Sequence, residues 1–470
     1  MSAPSIVWLR RDLRLHDHAA LSEALRHPHP MQPVFVFDTD ILSRFQNPHD
    51  RRLTFLADTL CRLHAQLTAR GGGLLLLYGS TKEVMPKLAA ALDSPLLCAG
   101  EDYEPAAIRR DREVAARARL ILVKEHLLLG PKQVKKNDGG VFRVFTPFSK
   151  AWRAALTAAD ASAREVRDRG RYASFAASSE AAKKAGLRVL DAVSPEALLS
   201  AIGYRYVPDK LWLPVQGKDR LTRFIGASLK TYKEKRDFPA EYGTSRLSPY
   251  LRFGLVSVRE AYHAAEGGSD TWINELIWRE FYAHILFHFP ESATQEFQLQ
   301  YRALPWRRDE GLLAAWKEGR TGYPIVDAAM RELSQTGWMH NRARMIVASF
   351  LTKDLHTDWR LGEAHFGDLL MDYDLASNVG GWQWAASTGT DAQPYFRVFN
   401  PVLQGKKFDP EGEYVRRYVP ELAALPASVI HEPWKSGRKL DYPTPVVDHA
   451  VAREKAIAMF KNEAVQEQLF

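Results

Sequence analysis

Two cysteines, Cys61 and Cys98, are all that 470 residues contain, and they stand far apart with no CxxC spacing. That excludes a disulfide framework and a cysteine-based zinc site, and it points to a reducing compartment, the cytosol. Long apolar runs are missing too: each is broken by charge within a few positions, and the mean hydropathy is -0.30. The start lacks the basic-then-apolar order of a signal peptide, so neither a membrane span nor secretion is expected. Also absent is the glycine fingerprint that seats a dinucleotide behind the first strand of a Rossmann unit. The first apolar run leads instead into Arg10, Arg11, Asp12, Leu13 and Arg14, so NAD is not expected there. An excess of one charge sign is confined to one part of the chain. Residues 1–200 hold 30 basic and 22 acidic side chains, whereas residues 201–470 hold 34 of each. Any polyanion site in the second part must therefore be a local patch.

What is present is ordered. Strand-length apolar runs recur at Ile6–Leu9, Val34–Phe37, Leu74–Tyr78, Leu96–Ala99 and Leu120–Val123, as strands covered on both faces would read. Stretches of helical spacing separate them, such as Leu53, Leu56, Leu60, Leu63 and Leu67. The pattern predicts an α/β N-terminal domain over 1–130, with a doubly wound, Rossmann-like parallel sheet. Residues 131–203, basic at Lys132, Lys135 and Lys136 and then rich in Ala, Arg and Ser, read as an interdomain connection. From 204 to 470 apolar positions recur at three and four, which predicts a mostly α-helical domain. Ten of the twelve tryptophans lie there, suiting a flat aromatic ligand, although core packing is the ordinary use of tryptophan.

Four segments of this second part carry chemistry. In TSRLSPYLRFG (244–254), Ser248 before Pro249 reads as an N-cap with a first-turn proline, and Thr244, Ser245 and Ser248 would offer hydroxyls at a positive helix end, a seat for pyrophosphate. WINELIWREFYAHILFHFP (272–290) reads as one helix, with Trp272, Glu275, Arg279 and Tyr282 along one stripe and Trp278 beside Glu275. His284 and His288 have metal-ligand spacing but no third ligand, so no metal is expected. WMHNRARM (338–345) sets Asn341, Arg342, Arg344 and Met345 on the first turns of a helix. The stretch 372–401 is dense in polar and aromatic residues, with Asp372, Asp374 and Asn378 for a heteroaromatic ring and Gly380 and Gly381 for close backbone approach. Each segment also has a plainer reading: a capped helix, a core aromatic helix, or a solvated loop.

Together with VWLRRDLRLHDHAAL (7–21) and VFTPFSKAW (144–152), these motifs resemble the DNA photolyase and cryptochrome family, nearest to the bacterial class I cyclobutane pyrimidine dimer photolyases. The resemblance runs over essentially the whole chain. It implies an antenna domain followed by a helical domain that holds FAD in a folded, U-shaped form. Tyr232, Thr244, Ser245, Arg246, Leu247 and Ser248 would surround the FAD phosphates, with Trp272, Glu275 and Arg279 at the pocket entrance. Asn341 would face flavin and substrate, Asp372 and Asp374 would line the ring and ribityl region, Arg344 would pair with Asp374, and Asn378 would sit at flavin N5. The implied reaction is light-driven repair: fully reduced, anionic FAD passes an electron to a flipped-out pyrimidine dimer in UV-damaged DNA, the cyclobutane ring splits, and the electron returns. Trp278 and Trp384 would pack on the dimer, Glu275 would hydrogen-bond to it, and Met345 would fill the adjoining wall. Arg236, Arg342, Arg397, Gln404 and Lys407 would meet the DNA strand. Trp382, Trp359 and Trp306 match the family's electron-transfer chain for photoreduction.

Within the family, six-four photolyases carry a histidine pair where this chain has Asn341 and Met345. Plant-type cryptochromes have an aspartate in place of Asn378 and a long C-terminal extension, whereas this chain ends at Phe470. A cryptochrome photoreceptor or a six-four enzyme is therefore the alternative. Folate-binding relatives have an Asn-Glu pair after the segment matching DYEP (102–105), where Ala106 and Ala107 stand here. The antenna is thus expected to be methenyltetrahydrofolate or a deazaflavin, another flavin or an empty site. A monomeric, cytoplasmic protein is expected.

Overall fold

The apolar runs of the N-terminal region are strands: β1 (Ser5–Leu9), β2 (Met31–Asp38), β3 (Leu75–Gly79), β4 (Leu97–Gly100) and β5 (Leu120–Val123). They pair in parallel, and a sixth strand, β6 (Arg188–Leu190), joins antiparallel to β3, giving the order β5-β4-β1-β2-β3-β6. Alternation along β1 explains the double cover. Val7 and Leu9 enter one apolar cluster with Phe35 and Leu60, while Ile6 and Trp8 enter another with Val34 and Leu88. The computed structural model of the chain describes residues 3–191 and 193–466, which divide into two units.

The first unit takes the chain to 135, then 150–225 and 246–280; the second takes 136–149, 226–245 and 281–470. The stretch 131–203, expected as a connection, holds β6 and the helices Phe145–Ala155, Ala158–Ala161, Phe175–Lys184 and Pro195–Ala201. Among its residues, 136–149 group with the second unit and 150–203 with the first. The strand went unread because three residues at a partly exposed edge carry no periodicity.

Within the first unit, the loop after β1 is covered by the chain's own segment 253–259. Leu13 N–H donates to the carbonyl of Phe253 at 3.1 Å. A Cβ on Gly254 (φ +71°) would lie 2.0 Å from the Arg11 carbonyl oxygen, so only glycine fits there. Arg259 is 1% exposed and ties this segment down, with its Nε 2.7 Å from Asp17 Oδ1 and its NH2 3.3 Å from Glu125 Oε1. Glu125 also accepts from Arg14 and from Ala19 N–H. Burial alone would raise the Glu125 carboxyl, but Arg14, then His18 and Arg259, outweigh it and hold the group below the ordinary carboxylate range.

The second unit is helical, and among the described residues no strand follows Leu190. Its core gathers Trp316, Trp359 and Trp382 with the buried faces of the helices Pro324–Thr336, Asn341–Ser349, Trp359–Leu369 and Leu375–Ala386. No helix among the described residues is long and apolar enough to cross a membrane. Replacing Arg259 by Met leaves Asp17 and part of Glu125 buried without their cation. The expected loss is about 3 kcal/mol of unfolding free energy, read from urea denaturation.

Candidate active site

The helix Asp270–His288 begins in the first unit, where it carries Trp272, Glu275, Trp278 and Arg279. Trp272 is buried against Phe224 at 5.5 Å, while Glu275 and Trp278 are half-buried. Two neighbours fix this helix. Arg279 NH1 donates to the carbonyl of His126 at 2.5 Å, and Glu280 accepts from Leu128 N–H, from Leu129 N–H at 3.1 Å and from Trp152 Nε1 at 2.5 Å. Burial pushes the Glu280 carboxyl up to about 7 despite these three donors. His284 and His288 face each other with ring centres 4.7 Å apart. Among the described residues no group of three or more His, Cys, Asp or Glu could hold a metal.

The 244–248 segment corrects one expectation. Arg246 has φ +50°, Leu247 is the N-cap, and Ser248 is the first residue of a helix only five residues long, Ser248–Arg252, with no side-chain cap. The left-handed turn at Arg246 starts the helix one residue earlier than the Ser-Pro pair implied. The chain passes from the second unit to the first between Ser245 and Arg246. Tyr232 is buried under the Arg236 guanidinium, at 5.4 Å.

In the second unit two helix N-termini carry the other predicted residues. His340 caps Asn341–Ser349 by accepting from Arg342 N–H at 3.1 Å, which starts the helix at Asn341. On its first turns Asn341 Nδ2 lies 3.8 Å from Met345 Sδ. Asp374 caps Leu375–Ala386 by accepting from Ser377 N–H at 3.1 Å. The expected partner of Arg344 is thereby corrected: its NH2 donates to both oxygens of Asp372, at 3.1 and 2.8 Å, while the Asp374 carboxylate serves the helix end. The stretch 372–401, with its weak aliphatic periodicity, thus contains a regular helix. Asn378 on that helix donates to the carbonyl and to Oε1 of Glu363, at 3.2 and 3.0 Å.

The two glycines differ. A Cβ on Gly380 would strike Tyr282 at 2.1 Å, so that space belongs to the neighbouring helix and not to a ligand, whereas a Cβ on Gly381 would meet nothing within 4 Å. Asp374, Asn378 and Gly381 lie on one helical face. Gly381 is exposed on the helix surface, whereas Trp382 beside it in sequence turns into the core, its indole Nε1 without a partner among the described residues.

Trp382 and Trp359 sit on adjacent helices, and Gly362 makes room for the Trp382 ring, since a Cβ there would lie 2.1 Å from Cη2. Trp306 is partly exposed at the edge of the same cluster and packs on Phe460 at 6.2 Å. Trp384 is half-buried. Arg342, paired with Asp237 at 2.9 Å, lies 4.3 Å over the Phe408 ring, and Lys407 lies 5.1 Å from that ring. Phe238 packs on Phe408, which brings Arg236 and Arg342 to one place. Gln404 is half-buried on the helix Pro401–Phe408 and Arg397 is exposed, with Phe396 and Leu403 59% and 61% exposed nearby in sequence. Arg236, Arg342 and Lys407 thus gather around Phe408, with Asp237 between the first two.

Two family models match: DNA photolyase over residues 5–166 and the FAD binding domain of DNA photolyase over residues 272–462. A protein of Alkalihalophilus pseudofirmus named deoxyribodipyrimidine photo-lyase is 39% identical, over 97% of this chain and 98% of its own length. The chain belongs to the DNA photolyase family. Among solved structures, a bacterial class III photolyase from Agrobacterium tumefaciens is similar with a TM-score of 0.82 and 36% identity, covering 99% of this chain and 98% of that one. A cryptochrome of Synechocystis is similar with a TM-score of 0.84 and 28% identity, covering 97% and 99%.

For a photolyase-family site, sequence reasoning missed the carboxylates behind the predicted residues. Glu363 holds Asn378, and Glu332 accepts from His340 N–H at 3.3 Å and from the hydroxyls of Tyr414 and Tyr418 at 2.7 and 3.2 Å, fixing the turn before Asn341. Glu280 fixes the helix of Glu275. The partners of these carboxylates lie eight or more residues away and across a turn, beyond the reach of a helical or strand spacing pattern. Glu280 also makes stability depend on pH. Between about 4.5 and about 7 the folded chain keeps a proton on Glu280 that the unfolded chain has released, so stability falls as pH rises across that window and levels above it. Glu280→Gln is expected to remove that slope, which amounts to about 3 kcal/mol at most; denaturant titrations at a series of pH values measure it.

Proposed function

We propose that this protein repairs cyclobutane pyrimidine dimers in DNA by light-driven electron transfer, as a deoxyribodipyrimidine photo-lyase. The observation that carries the reading is the pair Asn341 and Met345, in contact at the start of one helix and standing where six-four enzymes of the family have histidines. Reduced FAD, when bound, supplies the electron that light delivers to the dimer. Tyr232, Thr244, Ser245, Arg246, Leu247 and Ser248 hold its phosphates, while the Arg344–Asp372 ion pair, Asp374 and Asn378 line its ring. Trp272 and Arg279 border the pocket.

Around the dimer, Trp278 and Trp384 offer flat apolar faces that exclude water, and Asn341 and Met345 complete the wall. Glu275 hydrogen-bonds to the pyrimidine and orients it. Held through Glu363, the Asn378 amide meets the flavin without adding a negative charge to it. Arg236, Arg342, Arg397, Gln404 and Lys407 meet the DNA phosphates and strand. Trp382, Trp359 and Trp306 relay electrons inward when the flavin is oxidised. A second chromophore of the folate or deazaflavin class serves as antenna. The protein works as a monomer in the cytoplasm.

The test uses dithionite-reduced holoprotein and a thymine-dimer oligonucleotide, with recovery of thymine absorbance followed under blue light and in the dark. Light-dependent recovery is expected. No recovery, with repair of a six-four lesion or of none, would move the protein to the six-four or cryptochrome branch. Glu275→Ala should lower repair per absorbed photon by about tenfold, the effect of losing a hydrogen bond to a developing charge, with a smaller change in lesion affinity. Affinity for the lesion duplex should fall steeply with salt; a constant that ignores salt would count against phosphate-led docking.

A further inference from the structure

Trp359 is fully buried, yet it does not sit in an apolar cage. Its indole Nε1–H donates to Glu296 Oε1 at 3.2 Å, and Glu296 is 1% exposed. Arg360 occupies both oxygens of that carboxylate, NH1 to Oε1 at 2.9 Å and NH2 to Oε2 at 2.6 Å. The same guanidinium bonds Asp358 at 3.0 and 3.3 Å and lies 4.8 Å from the centre of the Trp359 ring. A second guanidinium, that of Arg302, reaches the Glu296 carbonyl with its Nε at 3.1 Å, and the Glu296 carboxylate is the charged group that bonds the indole nitrogen itself.

The loop that carries Glu296 is fixed from the other side as well. Gln383, the neighbour of Trp382, accepts from Phe297 N–H at 2.8 Å and donates to the carbonyls of Ser292 and Gln295 at 2.8 and 2.9 Å. Arg360 Nε reaches the carbonyl of Thr294 at 2.6 Å. The carboxylate therefore meets the indole without having to be ordered when charge appears. Trp382 is different: its Nε1 is buried without a partner among the described residues, and its ring packs on Phe366 and Trp316 at 5.0 and 5.9 Å.

We propose that Glu296, clamped by Arg360, is a positioning residue that makes Trp359 a better electron donor than Trp382 while leaving its indole proton in place. The inference rests on the reading of Trp382, Trp359 and Trp306 as an electron relay. In photoreduction one electron leaves Trp382 for photoexcited oxidised flavin, Trp359 refills Trp382, and Trp306 refills Trp359. A positive hole on Trp359 is stabilised by the adjoining negative charge, so the second transfer runs downhill. Both Glu296 oxygens already accept N–H groups of Arg360, so the indole proton stays on Nε1 and the hole remains free to move on. The proton is lost to solvent only at Trp306, the partly exposed end of the relay.

The experiment follows tryptophan radicals by transient absorption after a flash on holoprotein with oxidised FAD, beside the indole 15N–1H resonance of Trp359. Glu296→Gln, which removes the charge and keeps the shape, is expected to cut the yield of long-lived oxidised Trp306 about tenfold and to move the Trp359 resonance, with the first oxidation of Trp382 unchanged. Arg360→Gln frees the carboxylate to take the indole proton and should produce a deprotonated, neutral Trp359 radical whose formation slows in deuterated solvent. An unchanged radical yield in Glu296→Gln with no neutral radical in Arg360→Gln overturns the proposal and leaves the relay standing. No long-lived tryptophan radical in the unmodified protein overturns the relay, and the proposal with it.

Discussion

A carboxylate removed from water is tolerated only where N–H and O–H groups saturate it, and that constraint fixes several of the segments that carry or adjoin the predicted site residues. Glu125 binds Ala19 N–H, Arg14 and Arg259 and so holds segment 253–259 on the loop after β1. Glu280 binds two successive backbone N–H groups and an indole. Asp327 takes the N–H groups of Thr321 and Gly322 with the hydroxyls of Thr321 and Tyr442, and Asp409 takes the backbone N–H groups of Tyr414 and Val415. Each such knot joins residues that helix or strand hydrogen bonding would leave independent.

The benefit falls on the site. Asn341, Arg344, Asp374 and Asn378 stand on the first turns of two helices whose starts are fixed by His340 and Asp374 as caps. Glu332 secures the turn before the first, and the Tyr282 ring, seated where Gly380 has no side chain, secures the second. A bound cofactor that performs the difficult chemistry needs from the protein only orientation and a fixed electrostatic surround, and rigid helix ends supply both.

How much of this could be read from residues alone depends on the range of the interaction. The five parallel strands were legible because strands covered on both faces are unbroken apolar runs. β6 was not, because an edge strand of three residues needs no such run. The helices at 270–288 and 341–349 followed from spacing, whereas the His340 cap that starts the second did not. The partner of Arg344 could not be read, since Asp372 and Asp374 are equally placed in sequence and only the cap taken by Asp374 separates them. Arg246 shifted the start of its helix by one residue through a left-handed backbone angle that no side-chain pattern announces. Glu280, Glu296, Glu332 and Glu363 were invisible for a common reason: a lone glutamate in a helical or loop sequence looks like a solvated one until its distant donors are known.

The tryptophans show why residue type underdetermines role. Trp316, Trp359 and Trp382 share one core, and by burial alone they are equivalent. What distinguishes them is the group at the indole nitrogen: the carbonyl of Val347 at 3.1 Å for Trp316, the Glu296 carboxylate for Trp359, and no partner among the described residues for Trp382. A neutral carbonyl stabilises a positive hole far less than a carboxylate bonded to the same nitrogen does. On the relay reading, a hole formed on Trp382 has two further buried indoles in the same core, Trp316 at 5.9 Å and Trp359 on the adjacent helix. In the proposed relay, the charge at the indole nitrogen favours Trp359, so Glu296 and Arg360 set its direction while Trp316 packs the core.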